Sequence, residues 1–279
     1  MRTSCLIYLL ILAPGTLLLA GDEGAPSASD IMVRVAVNQD RAQKLRGEYV
    51  YQQHVRVATA RSNGKLAREE FTDYVVTPTA DGTKKELKNL SGRYWYKGKY
   101  LEFHSEPVPD SDSLDGNLVR DFRHDFSHDS SKDGLGHDLF PLTSEEQKNY
   151  LFELAGEETV QGRKVYRVRF RPLDKNALTW AGEALIDAEE FEPVRVYTKL
   201  SRKVPLFVRT LLGSDVPGLG FNVEYRRFDE GVWFPVSFGT EFRLRAVFFF
   251  NRDITISLEN SAFERAKVQS KILDFQPLK

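Results

Sequence analysis

The chain has 279 residues, 41% of them hydrophobic and 28% charged, enough apolar material for a real core in one large domain or two small ones. Its 39 Lys and Arg are matched by 40 Asp and Glu, so a formal charge of -1 supplies no basic field for nucleic acid. The only cysteine, Cys5, lies in the N-terminal apolar run, which excludes a disulfide framework and a cysteine-based metal site from the rest of the chain.

Arg2, the apolar run from Cys5 to Leu12, Pro14-Gly15 and then Thr16 to Ala20 have the charged start, short hydrophobic stretch and small-residue exit of a secretory signal. Residues 1–20 are expected to be a cleaved signal peptide, which makes the protein periplasmic or secreted. The run is shorter than the roughly 20 residues a membrane span needs, and proline breaks it. Residues 21–29, rich in Gly, Ala, Pro and Ser, read as a flexible lead, and 30–279 as a single domain. Ser29 or Asp30 can cap a helix in which Ile31, Val35, Ala42 and Leu45 recur near helical spacing through about Arg46, with Gly47 as its stop.

Tyr49, Tyr51, Val55 and Val57 alternate with polar residues in a strand whose polar face carries His54. Ser62-Asn63-Gly64-Lys65 then predicts a hairpin, because Asn-Gly tolerates the positive φ angles of a tight turn, and Phe71 to Thr77 is the returning strand. A second hairpin is expected where Arg93 to Tyr96 and Tyr100 to Phe103 flank Lys97-Gly98-Lys99.

From about 110 to 142 the strand pattern stops. Leu114, Leu118, Phe122 and Phe126 recur every four residues, which predicts an amphipathic helix inserted into a β domain as a lid or plug. Strands return from Tyr150, with Tyr166, Val168 and Phe170 alternating with Arg167, Arg169 and Arg171, then Gly182 to Asp187 and Val194 to Leu200. Val204 to Leu212 is apolar without a clear period. Phe221, Val223 and Tyr225 start a strand that leads through Asp229-Glu230-Gly231 into the longest alternation in the chain.

That alternation places Val232, Phe234, Val236, Phe238, Phe242, Leu244, Phe248 and Phe250 on one face and Ser237, Glu241, Arg243 and Arg245 on the other. Asn251-Arg252-Asp253 reads as a turn into Ile254, Ile256 and Leu258. A strand of that length must bend or break, and Pro235 and Gly239 are where a bulge or bend is tolerated. Long, one-faced, bent strands wrap a barrel or half-barrel.

Signatures of catalysis are weak. His124 and His128 at i and i+4 have zinc-ligand spacing, but they lie across the helix from Phe122 and Phe126 in an acidic segment, which reads as a solvated face. Asp187, Glu189, Glu190 and Glu192 read as a charged turn in preference to a glycosidase pair. The chain has no Gly-x-Ser-x-Gly elbow, His-Glu-x-x-His pair or P-loop.

The order of signal, first helix, Asn-Gly hairpin and helical insertion, followed by Tyr150 to Gly156, Gly162 to Tyr166 with Arg171-Pro172, Gly182 to Asp187 and Pro193-Val194-Arg195, resembles the periplasmic LolA/LolB-like outer-membrane lipoprotein-sorting superfamily. The resemblance implies a mainly β (α+β) fold: a half-open antiparallel β-barrel with an N-terminal helix and a helical lid or plug, holding an apolar cavity for acyl chains. It implies a carrier, not an enzyme, with no cofactor or metal. Cavity candidates are Phe234, Phe238, Phe242, Leu244, Phe248, Tyr166, Val168 and Phe170; lid candidates are Leu118, Phe122 and Phe126. Expected partners are a lipidated protein or lipid ligand and a membrane-associated donor or acceptor protein, with the carrier a monomer. The alternatives are an envelope sensor or scaffold that binds a protein partner through the same sheet, and a metal-dependent hydrolase. No arginine-proline motif follows the early strands, where Gly92-Arg93-Tyr94 stands instead, so no family site residue is carried over.

Overall fold

The computed structural model describes residues 26–79, 82–106, 113–128, 140–176, 179–201, 214–215, 219–228, 231–246 and 250–266. The expected signal peptide, the apolar stretch from Val204 to Leu212 and Phe248 lie outside them.

Helix α1, Ala28–Arg46, starts before the cap that the sequence suggests at Ser29 or Asp30. Ser27 caps it through a reciprocal box in which the Ser27 hydroxyl accepts from the Asp30 N–H and the Asp30 carboxylate accepts from the Ser27 N–H. A cap at Ser29 would put Met32 three residues on, where no side-chain acceptor could reach back, so the Ser-x-x-Asp spacing decides the start. Gly47 ends the helix as expected.

The strands are β1 (Tyr49–Arg61), β2 (Leu66–Thr79), β3 (Gly82–Tyr96), β4 (Lys99–Phe103), β5 (Tyr150–Val160), β6 (Arg163–Pro172), β7 (Trp180–Asp187), β8 (Pro193–Leu200), β9 (Ser214–Asp215), β10 (Gly220–Arg227), β11 (Trp233–Ala246) and β12 (Phe250–Arg265). They form one sheet in the order β4-β3-β2-β1-β12-β11-β10-β8-β7-β6-β5, with β9 paired beside the end of β11. Every pairing is antiparallel. The last strand returns to lie beside the first, while β4 and β5 remain as edges, so the sheet is open. The hairpin at 97–98 turns as its composition requires: Lys97 and Gly98 both have positive φ, the paired left-handed geometry that matches strand twist. Gln161-Gly162 does the same between β5 and β6.

Two insertions carry the remaining helices, α2 (Leu114–His128) and the single turn α3 (Ser144–Gln147). α2 packs on β1, β2 and β3; α1 packs on β5 and α3. One hydrophobic cluster gathers Ile31, Met32 and Val35 of α1, Val119 of α2 and inward side chains from β1, β2, β6, β7, β8, β10, β11 and β12. Strands from both halves of the sheet can feed one cluster only if the sheet curves around it, which makes this a half-open antiparallel barrel with helices on its inner face.

The long hairpin departs from the sequence reading at two places. Asn251, Arg252 and Asp253 are not a turn but the start of β12, paired with Arg245, Leu244 and Arg243, so the chain reverses before them. Three polar residues in a row hide the start of a strand in which Arg243 donates to Asp253 across the ladder and Arg252 points inward to α2. The predicted bend falls where proline allows it. Tyr225 faces Pro235 but Glu224 faces Ser237, so Val236 is an extra residue in β11.

Candidate functional site

The inner face of the sheet carries most of the expected cavity residues. Phe238 and Phe242 are 6% and 9% exposed and belong to the main cluster with Tyr166, Val168 and Phe170, while Leu244 packs against it partly buried. Phe238 lies beside Phe221 with ring centroids 5.1 Å apart, and Phe242 meets Phe122 of α2 edge-on at 6.4 Å. Phe234 is not brought to this cluster. It packs on Phe263, Tyr49 and Phe228 at 4.4, 4.9 and 5.6 Å, and Trp233 takes the place in the cluster that unbroken alternation would have given it. The extra residue at Val236 changes the parity of everything before it in β11 relative to β10, which is why a period-two count through Pro235 misassigns Phe234. Phe248 and the side chain of Phe126 lie outside the described residues.

Of the lid candidates, Leu118 and Phe122 rest partly buried on the cluster, and Val119, which the every-four count skips, is fully buried. Leu114 is exposed. The buried stripe of α2 therefore runs through 118, 119 and 122, the i, i+1, i+4 pattern of a helix lying flat on a surface.

Polar side chains fix α2 to the sheet, and no pattern in the sequence announces them. Arg252 donates from Nε and an NH2 group to the two oxygens of Asp115 at 2.7 and 2.8 Å, and the Thr59 hydroxyl donates to the same carboxylate at 2.9 Å. Further along α2, Arg123 donates to Glu70 at 2.7 Å and also pairs with Glu106. Burial opposes the Arg123 charge, but Glu70 and Glu106 more than offset it and push its pKa up. Glu70 is shared with Arg68, at 3.0 Å, whose buried guanidinium lies 4.8 Å from the centre of the Phe103 ring. Thr59 faces Arg68 and Val57 faces Glu70 across the β1–β2 ladder, so this part of the inner face is charged where the rest is apolar.

α1 is docked by a second buried polar group. The Gln39 amide donates to Glu192 at 2.5 Å, Arg46 donates to the Trp233 carbonyl at 3.1 Å, and Asn38 donates to the Glu190 carbonyl at 2.8 Å. Glu192 is 4% exposed, and burial pushes its pKa up to about 7 against the opposing pull of Gln39, Arg46 and Arg41. Its neighbours behave differently. Burial also opposes the charge of Asp187, but Arg163 at 2.5 Å and the N–H groups of Glu190 and Glu189 hold its carboxyl below the usual range. The acidic run is thus the structured β7–β8 turn onto which α1 packs, in keeping with the charged-turn reading.

The outward arginines are part of a paired strand face: Arg167 with Glu158 and Glu183, Arg169 with Glu183, and Arg243 with Asp253. His54 lies 2.5 Å from Asp73 on the half-exposed outer face. Among the described residues no group of three His, Cys, Asp or Glu side chains is placed to hold a metal ion.

Openings flank the helices. One, about 560 Å³, is lined by Phe140, Pro141, Glu145, Tyr150, Pro172 and Leu173 between α3 and the ends of β5 and β6. Tyr150 joins it to the core, its ring 6.0 Å from that of Phe170. Another, about 250 Å³, lies between α2 and the β2–β3 ladder. A third, about 440 Å³, lies over β5 to β8 among Leu151, Arg169, Tyr197 and Lys199.

The fold and site together define an open antiparallel half-barrel whose inner apolar face is covered by helices held by polar contacts. Comparison with solved structures finds likenesses at low sequence identity. A DUF1329 family protein from Desulfovibrio piger matches at 12% identity over 88% of this chain and 96% of that one, with a TM-score of 0.39. A LolA superfamily protein from Nitrosomonas europaea matches at 12% identity over 90% and 99%, with a TM-score of 0.35. The lipoprotein LppX from Mycobacterium tuberculosis matches at 11% identity over 88% and 100%, with a TM-score of 0.24. No protein-family model and no curated protein sequence matches this chain.

Proposed function

We propose that this chain is a periplasmic or secreted carrier or binding protein that holds the acyl chain of a lipoprotein or of another lipidic ligand against the inner face of the half-barrel, acting by binding and not by catalysis. The observation that carries the reading is the 560 Å³ opening whose apolar wall, Phe140, Pro141, Tyr150, Pro172 and Leu173, meets the core at Phe170. Its size falls in the range of small-molecule sites, with Glu145, Glu146 and Asp174 beside the apolar wall. A buried CH₂ contributes about 0.8 kcal/mol, so a long chain gains roughly 10 kcal/mol gross before ordering and displacement costs. Displacement matters here because Phe122 and Val119 already occupy the face that a chain would cover. Leu118 and Phe122 are then lid residues, and the Asp115–Arg252 and Arg123–Glu70 pairs are what a ligand must release for α2 to move.

The test is native mass spectrometry of protein exported to a periplasm, followed by displacement of a fluorescent fatty-acid probe. Copurified lipid and an affinity that rises with chain length are expected. Leu173 is 51% exposed at the mouth, so Leu173→Glu should have little effect on folding while it weakens probe binding. A parent protein that neither copurifies lipid nor binds the probe refutes the reading.

A further inference from the structure

We propose that the open edge of β5 from Tyr150 to Leu154 is an interface between two copies of this chain, paired antiparallel about Phe152, so that the protein dimerises with rising concentration in place of the monomer that the resemblance implies. The ladder with β6 fixes which backbone groups are free. The Leu173 N–H donates to the Asn149 carbonyl at 2.8 Å, and beyond that bond Tyr150 faces Pro172, Leu151 faces Arg171, Phe152 faces Phe170, Glu153 faces Arg169 and Leu154 faces Val168. Bonded and unbonded positions alternate along an antiparallel pair, so Leu151 and Glu153 turn their N–H and C=O groups towards β6, while Tyr150, Phe152 and Leu154 turn theirs away from it. Pro172 agrees with this parity, since its missing N–H falls at an unbonded position. β5 ends the sheet, and among the described residues no backbone partner meets those three outward-facing positions.

Edge strands are ordinarily blunted by lysine, proline or a bulge, because a row of free N–H and C=O groups is a template for another strand. β4, the opposite edge, opens on Lys99. The far half of β5 is blunted by the register shift after Leu154, where Gly156 has a φ of 143°. Tyr150-Leu151-Phe152-Glu153-Leu154 has none of these devices, and its only charge is Glu153.

The five residues are complementary to themselves. Centred on Phe152, an antiparallel pair sets Phe152 against Phe152 of the second copy and Tyr150 against Leu154 of the second copy, each with its free groups facing the other, and about six backbone bonds form. Leu151 then stands opposite Glu153 of the second copy. Moving the centre to Glu153 would set two carboxylates opposite one another, and moving it to Leu151 would leave Leu154 opposite Lys148, which lies before the strand. The pairing also keeps each side chain on its own face: Tyr150, Phe152 and Leu154 already pack partly buried on the main cluster, and Leu151 and Glu153 are exposed on the other side. It brings Leu154 of the second copy beside Tyr150, at the wall of the 560 Å³ opening, so each copy contributes a residue to the other's opening. The pairing does not rest on the acyl-binding reading above.

Sedimentation velocity of the full mature protein from about 1 to 200 µM tests this, and the parent should show a reversible monomer–dimer equilibrium. Leu151→Glu sets a carboxylate opposite Glu153 on both sides of the dyad and should weaken the dimer about tenfold. Leu151→Lys, which meets the same Glu153 with the opposite charge, should not weaken it, and the double variant Leu151→Glu/Glu153→Lys should restore association. Leu151 is 39% exposed and Glu153 is exposed, so all three variants should keep the parental melting temperature at low concentration. A parent that stays monomeric throughout overturns the interface. A dimer indifferent to Leu151→Glu, or one that the double variant fails to restore, overturns β5 as its seat, and open-ended assembly overturns the closed pairing about Phe152. Fatty-acid probe binding measured alongside separates the two readings: a monomer that binds the probe leaves the acyl reading standing without the interface, and a dimer that does not bind it leaves the interface standing alone.

Discussion

The substitution Glu192→Gln should remove a specific pH dependence from the stability of the protein. Glu192 sits under α1 with its carboxylate accepting from Gln39, and burial raises its pKa from 4.5 to about 7. A raised carboxylate pKa means the folded state holds the proton more tightly than the unfolded one. Below about pH 4.5 the carboxyl is protonated in both states and costs nothing. As pH rises from 4.5 towards 7, the unfolded chain ionises and the folded one resists, so stability falls across that window and levels off above it. Each pH unit of the window weighs about 1.36 kcal/mol, so the loss is on the order of 3 kcal/mol, with the attraction of Arg46 and Arg41 for the ionised form already contained in the pKa of about 7. The depressed carboxylates work the other way and in another range: Asp187, Asp73 and Asp253 contribute stability above their unfolded pKa values that is lost only in acid below about pH 4. Urea unfolding of parent and variant from pH 4.5 to 8 separates the two. The amide introduced at this position can still accept from Gln39 and never ionises, so the variant should be more stable than the parent at pH 8 and nearly equal to it at pH 4.5. A parent whose stability rises through this window, or a variant with the same slope, would show that α1 is not docked on a buried carboxyl.

Asp115→Ala removes the acceptor for both Arg252 and Thr59 and leaves a guanidinium on the inner face, which should cost about 2 to 4 kcal/mol; amide exchange in the first turns of α2 should speed up more than in β11, and uniform behaviour would mean that the pair is not what holds the helix. Phe238→Leu should destabilise by about 1 to 3 kcal/mol in the ligand-free protein, because Phe221 and the cluster close around that ring, and a smaller change in urea melts would mean that the face is more open than its packing. His124→Ala with His128→Ala should leave the melting temperature unchanged with or without chelator; a chelator-sensitive loss would reveal a metal that the described side chains give no reason to expect. Gly182→Ala should be strongly destabilising, since a Cβ there would drive into the Tyr197 carbonyl and the Phe170 ring, and a folded variant with parental stability would contradict the close approach of β7 to β8.

Periodicity makes the strands readable because each has one apolar face, and turn chemistry makes Asn63-Gly64, Lys97-Gly98 and Gln161-Gly162 readable because positive φ has few candidates. What neither can reveal is a residue whose meaning depends on a partner distant in the chain. Arg252 looks like a turn residue until Asp115 arrives from 137 positions away, and Glu192 looks like one more surface acid until Gln39 lies over it. Phe234 is misread by a different route: one bulge residue reverses parity, and nothing in the letters says on which side of Pro235 it falls. The first of them, Arg252, shares Asp115 of α2 with Thr59 on the inner face. The inner face is apolar where the alternation is clean and charged where it fails, at Thr59, Arg68 and Glu70, and it is over this charged part that α2 lies. Hydrophobic burial alone would hold a helix on the face and resist any opening, because separating the two exposes apolar surface to water on both sides. Ion pairs at its margins change the balance. An Arg–carboxylate pair that opens can be solvated on both partners, so the net penalty for lifting α2 is smaller than its burial suggests, and under the proposed function a ligand would take the place of Val119 and Phe122 on the same surface. A cover held by charges over a greasy face is thus suited to exchange, which a fully apolar plug of equal area would not be.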